Sequence, residues 1–284
     1  MALYRLLEAV DLTSPTLVAA FDGWIDAGGA ALAAASQLAA RGRVVARFDP
    51  DRLYDYRVRR PTLEIVDGRL DRLTWADLTL RAVRLGDRHL LVLAGPEPDF
   101  AWHALVTDVL ELMERLDVAE WITLGALPAA VPHTRPVPVW GSASRPEFLR
   151  GGVEAGPSGV LRVPAACLSV LEKAVADAGR PALGYYAQVP HYVSGPYPAA
   201  AVALLEVLGR HLGTTIDPGP LAEEARLLAR RLDAATRGDE STRAYVERLE
   251  AMADEDRLPS GDELIAEIER FLRERGGDGP RSDG

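Results

Sequence analysis

The sequence is poor in the residues that most directly announce a chemistry. It holds one cysteine, Cys167, in 284 residues, which excludes an internal disulfide and a thiolate-based structural zinc site. It holds one lysine, Lys173, beside 31 arginines; we attribute that bias to a GC-rich coding sequence and not to recognition. Positive charge as a whole is scarce, with 32 basic against 42 acidic residues and a formal net charge of −10. Phosphate backbones and anionic bilayers call for clustered positive charge, so neither nucleic acid nor a membrane is expected as a partner. No apolar run approaches the roughly 20 residues of a membrane span, and the opening MALYRLLEAVDLTSP has no basic start followed by an apolar core. A soluble, cytoplasmic protein is expected. The chain also has no G-x-S-x-G elbow, no H-E-x-x-H, no Walker loop, no G-x-G-x-x-G and no Asp/His cluster at metal spacing. No metal and no cofactor are expected.

What is present is enough for a full core. Hydrophobic residues make up 48% and charged residues 26%, the balance of a globular chain. The acidity is unevenly spread: residues 216–284 carry 18 Asp and Glu against 11 Arg, a balance of −7 that leaves −3 for the first 215. Across those 215 residues, short apolar runs alternate with longer helical patterns, the signature of an α/β sheet. The runs at 16–21, 88–94, 120–125 and 182–188 are almost continuously apolar, as parallel strands covered on both faces must be. Residues 43–48, 62–66 and 137–142 read as further strands. Helices are predicted over 27–41, 100–116, 163–178 and 198–212, with Gly42, Gly179 and Gly213 placed as left-handed C-caps. After the break Pro218-Gly219-Pro220, apolar residues recur at helical spacing over 221–237, 242–253 and 262–273. The expected organisation is an α/β/α core over residues 1–215, an acidic helical appendage over 216–275 and a Gly/Asp-rich disordered tail over 276–284.

In an open α/β sheet, ligands sit beyond the carboxyl ends of the strands, so the residues after each apolar run are informative. Four such loops stand out. The first, after 16–21, offers Asp22, Trp24 and Asp26 before Gly28 and Gly29. Asp26 reads best as a helix N-cap with the glycines permitting close packing. The second offers Glu97 and Asp99; Asp99 sits as an N-cap, and Glu97 is harder to assign to capping. The third offers His133, Thr134 and Arg135, and the fourth His191 and Tyr192. A His beside a carboxylate is the usual general base, titrating near neutrality, so Glu97, His133 and His191 are the catalytic candidates. Cys167 lies in an apolar helical pattern and reads as a small buried hydrophobe.

Taken together, these loops resemble a known family. The segments FDGWIDAG from Phe21, GPEPDF from Gly95, LGAL from Leu124 with PHTRPV from Pro132, GPSG from Gly156 and VPHYV from Val189 occur in the order found in the family of the second proteasome assembly chaperone. The likeness is to its actinobacterial branch, which carries a helical C-terminal extension. It covers roughly residues 4–270. It implies a phosphorylase/hydrolase-like α/β/α fold with a mixed sheet, so the parallel reading is relaxed to admit an antiparallel strand. It implies self-association, a trimer being one candidate, and proteasome-related partners. The archaeal relatives dock through a C-terminal hydrophobic-Tyr-any motif; this chain ends Pro280-Arg281-Ser282-Asp283-Gly284, so docking by that route is not expected. Three functions follow as expectations: a non-enzymatic oligomeric assembly or scaffold protein; a hydrolase or phosphorylase-like enzyme pairing Glu97 or Asp26 with His133 or His191; or a ligand sensor using the same loops without turnover.

Overall fold

The computed structural model describes residues 2–8 and 10–254. In chain order the elements are β1 (Tyr4–Leu6), β2 (Thr16–Phe21), α1 (Ala30–Ala39), β3 (Arg43–Phe48), the single turn α2 (Pro50–Leu53), β4 (Thr62–Val66), β5 (Arg69–Thr74), β6 (Thr79–Leu85), β7 (Arg88–Gly95), α3 (Trp102–Arg115), β8 (Glu120–Ala129), β9 (Val139–Ala143), α4 (Cys167–Asp177), β10 (Ala182–Pro190), α5 (Pro198–Leu212), α6 (Leu221–Gly238) and α7 (Glu240–Asp254). The predicted helix over 262–273 and the tail over 276–284 lie outside the described residues.

Eight strands form one mixed sheet in the order β1-β3-β6-β7-β2-β8-β10-β9. The four runs read as interior strands are its centre: β7, β2, β8 and β10 are mutually parallel. Every residue of β2 is buried, because helices cover both faces of this part of the sheet. β1, β3 and β6 on one side and β9 on the other add antiparallel strands, which fits the relaxed, mixed reading and extends it beyond one strand. β4 and β5 form a separate antiparallel hairpin.

Two apolar layers hold the sheet. On one face α1 and α5 pack over Val18, Leu90, Val92, Ile122, Leu124, Leu183 and Tyr185. The alanine stripe Ala30, Ala31, Ala34 and Ala35 lets α1 lie close to its neighbours, since small side chains on one helix face shorten the interaxial distance. On the other face α3 and α4 bury Leu105, Val109, Leu112, Leu168, Leu171 and Val175 against Leu17, Ala19, Leu91, Leu93 and Trp121. Cys167 is buried at the start of α4, and burial pushes its thiol well above the usual range, in keeping with a packed side chain and not a nucleophile.

α6 then packs on α5, with Leu221 buried and Leu228 and Leu232 set against the same apolar cluster. α5 and α4 end as their glycines predict, with Gly213 at φ 68° and Gly179 at φ 77°. Gly42 departs from the prediction. It is absent from the left-handed residues, and a Cβ there would lie 2.9 Å from Val83 Cγ2, so close approach to β6 and not a cap explains the glycine.

Candidate functional site

The carboxyl ends of the parallel strands carry the candidate loops, and they assemble into two separate clusters. The first joins the loops after β2 and β7. Asp22 Oδ1 accepts from Glu97 N at 2.9 Å, and Arg59 Nη1 lies 3.1 Å from the same oxygen. Arg59 Nε lies 3.5 Å from Asp99 Oδ1, and Asp99 Oδ2 accepts from Asp55 N at 2.9 Å. Arg59 therefore bridges the two carboxylates and ties the segment leading into β4 to both loops. Glu97, set apart from capping by sequence, is itself a cap: its Oε1 accepts from Cys167 N, the first residue of α4, at 2.6 Å. A carboxylate at a helix N-terminus meets the unsatisfied N–H groups and the favourable end of the dipole. Gly23, at φ 116°, makes room for it, since a Cβ there would come within 2.7 Å of Glu97 Oε2.

Asp26 serves the adjacent helix. Its Oδ1 accepts from Ala31 N at 2.7 Å, three residues removed from the formal N-cap Gly29, so it caps α1 across the intervening turn. Burial pushes its carboxyl up to about 6, against the lowering effect of the Ala31 and Leu32 amides. Gly28, at φ 64°, lets Tyr197 close on this turn; Tyr197 N donates to Gly28 O at 2.9 Å, and a Cβ on Gly28 would meet Tyr197 Cβ at 2.8 Å. Trp24 and, in the neighbouring loop, Phe100 stand 61% and 51% exposed.

The second cluster joins the loops after β8 and β10 to the C-terminal helices. The Tyr192 hydroxyl accepts from His133 N at 2.8 Å and lies 2.7 Å from His133 Nδ1. The hydroxyl's single proton is then available for Nδ1, which leaves the proton of a neutral His133 on Nε2. That nitrogen is buried without a well-directed hydrogen bond, 3.3 Å from Asp233 Oδ1 of α6. His191 is held from both sides, Nδ1 at 3.0 Å from Ala129 O and Nε2 at 2.9 Å from the Tyr245 hydroxyl of α7. Rings of His133, Tyr192, His191 and Tyr245 meet edge to face at 5.8 to 6.1 Å. Arg135 forks onto Asp254, Nε to Oδ1 at 2.9 Å and Nη2 to Oδ2 at 2.7 Å, with Nη1 at 3.2 Å from Glu250; Thr134 also bonds Glu250.

The structure thus brings Asp22, Glu97 and Asp99 together through Arg59, and His133, Arg135, His191 and Tyr192 together beneath α6 and α7. It does not gather the two sets around one cavity. A pocket of about 600 Å³ between β9, α5 and the end of α7 is lined by none of the candidate residues. Arg59, Asp233, Tyr245, Glu250 and Asp254 complete the clusters without having been singled out by sequence. At the other end of the sheet Glu120 accepts from Thr16 Oγ1 at 3.0 Å, lies 3.3 Å from His211 Nε2 and pairs with Arg150 at 3.0 Å, while His211 Nδ1 lies 2.7 Å from the Tyr185 hydroxyl. This buried polar network fastens the end of α5 to β8 and β10. Among the described residues no three His, Cys, Asp or Glu side chains are grouped to hold a metal ion, and no helix is long and apolar enough to cross a membrane.

A mixed α/β/α sandwich whose strand-end loops are braced by arginine and covered by two C-terminal helices is the class that fold and site define. The PAC2 family model matches residues 20–236, and the chain belongs to that family. A protein of unknown function from Corynebacterium glutamicum is 32% identical, with a TM-score of 0.83 over 89% of this chain and 97% of that one. The proteasome-assembly chaperone homologue of Mycobacterium tuberculosis is 34% identical, with a TM-score of 0.73 over 81% and 99%. A PAC2 family protein of Streptomyces avermitilis is 36% identical, with a TM-score of 0.73 over 82% and 99%. No curated protein matches the chain.

Proposed function

We propose that this protein is a non-enzymatic assembly or scaffold protein of the cytoplasm, self-associating and binding other protein chains, with proteasome-related proteins as its clients. The observation that carries this reading is the likeness over nearly the full length of a relative described as a proteasome-assembly chaperone homologue. An actinobacterial source fits the organisms of the three relatives. The site chemistry points the same way. Asp26 and Glu97 cap helices, and His133 and His191 face partners on α6 and α7, so each candidate acid or base is engaged in bracing. Trp24 and Phe100 are large apolar side chains held at the rim of the strand-end edge, the residue type that anchors protein interfaces. The test is native capture of the tagged full chain with quantification of proteasome subunits, beside a Trp24→Ala/Phe100→Ala variant. Enrichment of those subunits with wild type, reduced at least tenfold in the variant, is the expected result. Recovery of the bait alone, under conditions that preserve proteasomes, overturns the reading.

A further inference from the structure

α4 carries a second face beside its core stripe. Ser169, Glu172, Lys173 and Ala176 follow the i, i+3, i+4, i+7 spacing of one helix face, flanking the buried Leu168, Leu171 and Val175. α4 packs over β8 and β10, and β9 beyond them is the last strand of the sheet, so this flank lies at the sheet edge. Between it and β9 is a pocket of about 330 Å³, at the low end of the range for small-molecule sites. Its lining includes Ala182, the first residue of β10, which sets it toward the opposite end of the sheet from the candidate loops.

The strands supply the other wall. Tyr186 on β10 stands opposite Trp140, two residues before Ser142 on β9, so Tyr186 and Ser142 share a face of the sheet. The Tyr186 ring lies across two glycines: a Cβ on Gly125 would come within 2.5 Å of it and a Cβ on Gly184 within 2.7 Å. Laid flat in this way, the ring brings its hydroxyl to Glu172, donating to Oε2 at 3.2 Å. Ser142 Oγ donates to Glu172 Oε1, also at 3.2 Å. Both partners are neutral. Among the described residues no arginine, lysine or histidine pairs with Glu172, and Lys173, its neighbour on the helix face, is folded onto Asp177 at 2.6 Å. An ionised carboxylate withdrawn from water without a countercharge is costly, and burial pushes this one above its usual range against the lowering effect of its hydroxyl bonds.

We infer that this pocket binds a small organic cation through a primary ammonium group, seated on Glu172 with serine hydroxyls around it. Charge selects a cation: an ammonium supplies the opposite charge that Glu172 lacks, whereas an anion would meet the carboxylate directly. The chain's net charge of −10 also concentrates cations near its surface. Hydrogen bonding selects the ammonium. Its three N–H donors match a carboxylate and the oxygen lone pairs of Ser142 and Ser169, which line the same pocket. A divalent metal ion fits poorly, since it takes about six or more oxygen ligands, several of them carboxylates, and Glu172 is the one carboxylate among the described residues lining the pocket.

This inference goes beyond the scaffold reading and is tested on pure protein, so its failure and a failure to capture clients are separate results. The test is isothermal titration calorimetry of the full chain with propylammonium chloride as the probe, beside tetramethylammonium chloride, which carries the same charge and no N–H. Wild type is expected to bind propylammonium at one saturable site with a Kd on the order of 1 mM, and tetramethylammonium at least about tenfold more weakly for want of the charged hydrogen bonds. Glu172→Gln keeps the side chain's shape and removes its charge. It is expected to weaken propylammonium binding at least about tenfold with the thermal midpoint kept. Ser169→Leu fills the pocket from the helix side while leaving Glu172 and its two hydroxyl bonds in place, and it is expected to abolish binding; it decides the matter if Glu172→Gln does not fold. A wild type without saturable binding, a folded Glu172→Gln or Ser169→Leu chain that binds as wild type does, or tetramethylammonium bound as tightly as propylammonium overturns the proposal.

Discussion

Asp26 and Glu120 are two carboxylates that burial treats alike and hydrogen bonding separates. For Asp26 burial prevails and the carboxyl is pushed up to about 6. For Glu120 burial also raises it, but bonds from His211 and Thr16 and the Arg150 charge leave it below the usual range. The linkage signs are opposite. Native Asp26 holds more proton than the unfolded chain between about pH 4 and pH 6, so its contribution falls as pH rises through that window. Glu120 contributes stability above its unfolded pKa that is lost as pH falls through the folded value. Asp26→Asn keeps an acceptor for Ala31 N and removes the titration. Urea unfolding at about pH 4 and pH 7 should show the variant gaining on wild type by about 2–3 kcal/mol at the higher pH, from ~1.4 kcal/mol per pKa unit. An equal difference at both pH values would contradict the assigned cause. The Asp22, Asp26, Glu97 and Asp99 loops were legible in sequence because each follows an apolar run directly. Arg59 was not, since it precedes a hairpin strand and reaches Asp22 across 37 positions.

At the scale of elements, Glu97 shows what strand-end position leaves open. A carboxylate after β7 can face a ligand or the N-terminus of a helix 70 positions away, and the choice depends on the packing of α4 against the sheet. Glu97→Ala is expected to cost about 1–2 kcal/mol in denaturant unfolding, the usual worth of a lost cap, and Glu97→Gln to recover most of it. A fully stable Glu97→Ala would remove Glu97 from the bracing. The four central strands were readable because parallel strands buried on both faces must be apolar throughout. β1, β5 and β6 escaped for definite reasons. β1 has three residues, β5 is exposed throughout, and β6 has its apolar run broken by Arg81 and Arg84, three positions apart, so it shows neither a continuous apolar stretch nor a clean alternation. The turn signals Asp67-Gly68 and Gly86-Asp87 carried the missing information, since each closes a two-residue hairpin loop between paired strands.

Over the whole molecule the C-terminal helices decide what the loops after β8 and β10 are for. Leu221, Val246 and Leu249 are buried and each contributes about 1.5–3 kcal/mol. The Arg135 pairs are exposed and screened by solvent, so apolar burial supplies the hold, and Arg135, His133 and His191 set its position. Sequence periodicity placed α6 and α7 almost to the residue. It could not pair them with loops a hundred positions earlier, because contacts between distant segments leave no local pattern. The central claim is that the His133, Arg135, His191 and Tyr192 cluster is the seat of these helices. Amide hydrogen exchange of Arg135→Ala/His191→Ala tests it most directly. Residues 240–254 should exchange about tenfold faster, from roughly 1.4 kcal/mol of lost local stability, with the central strands unchanged. Unaltered exchange across α7 would contradict the account.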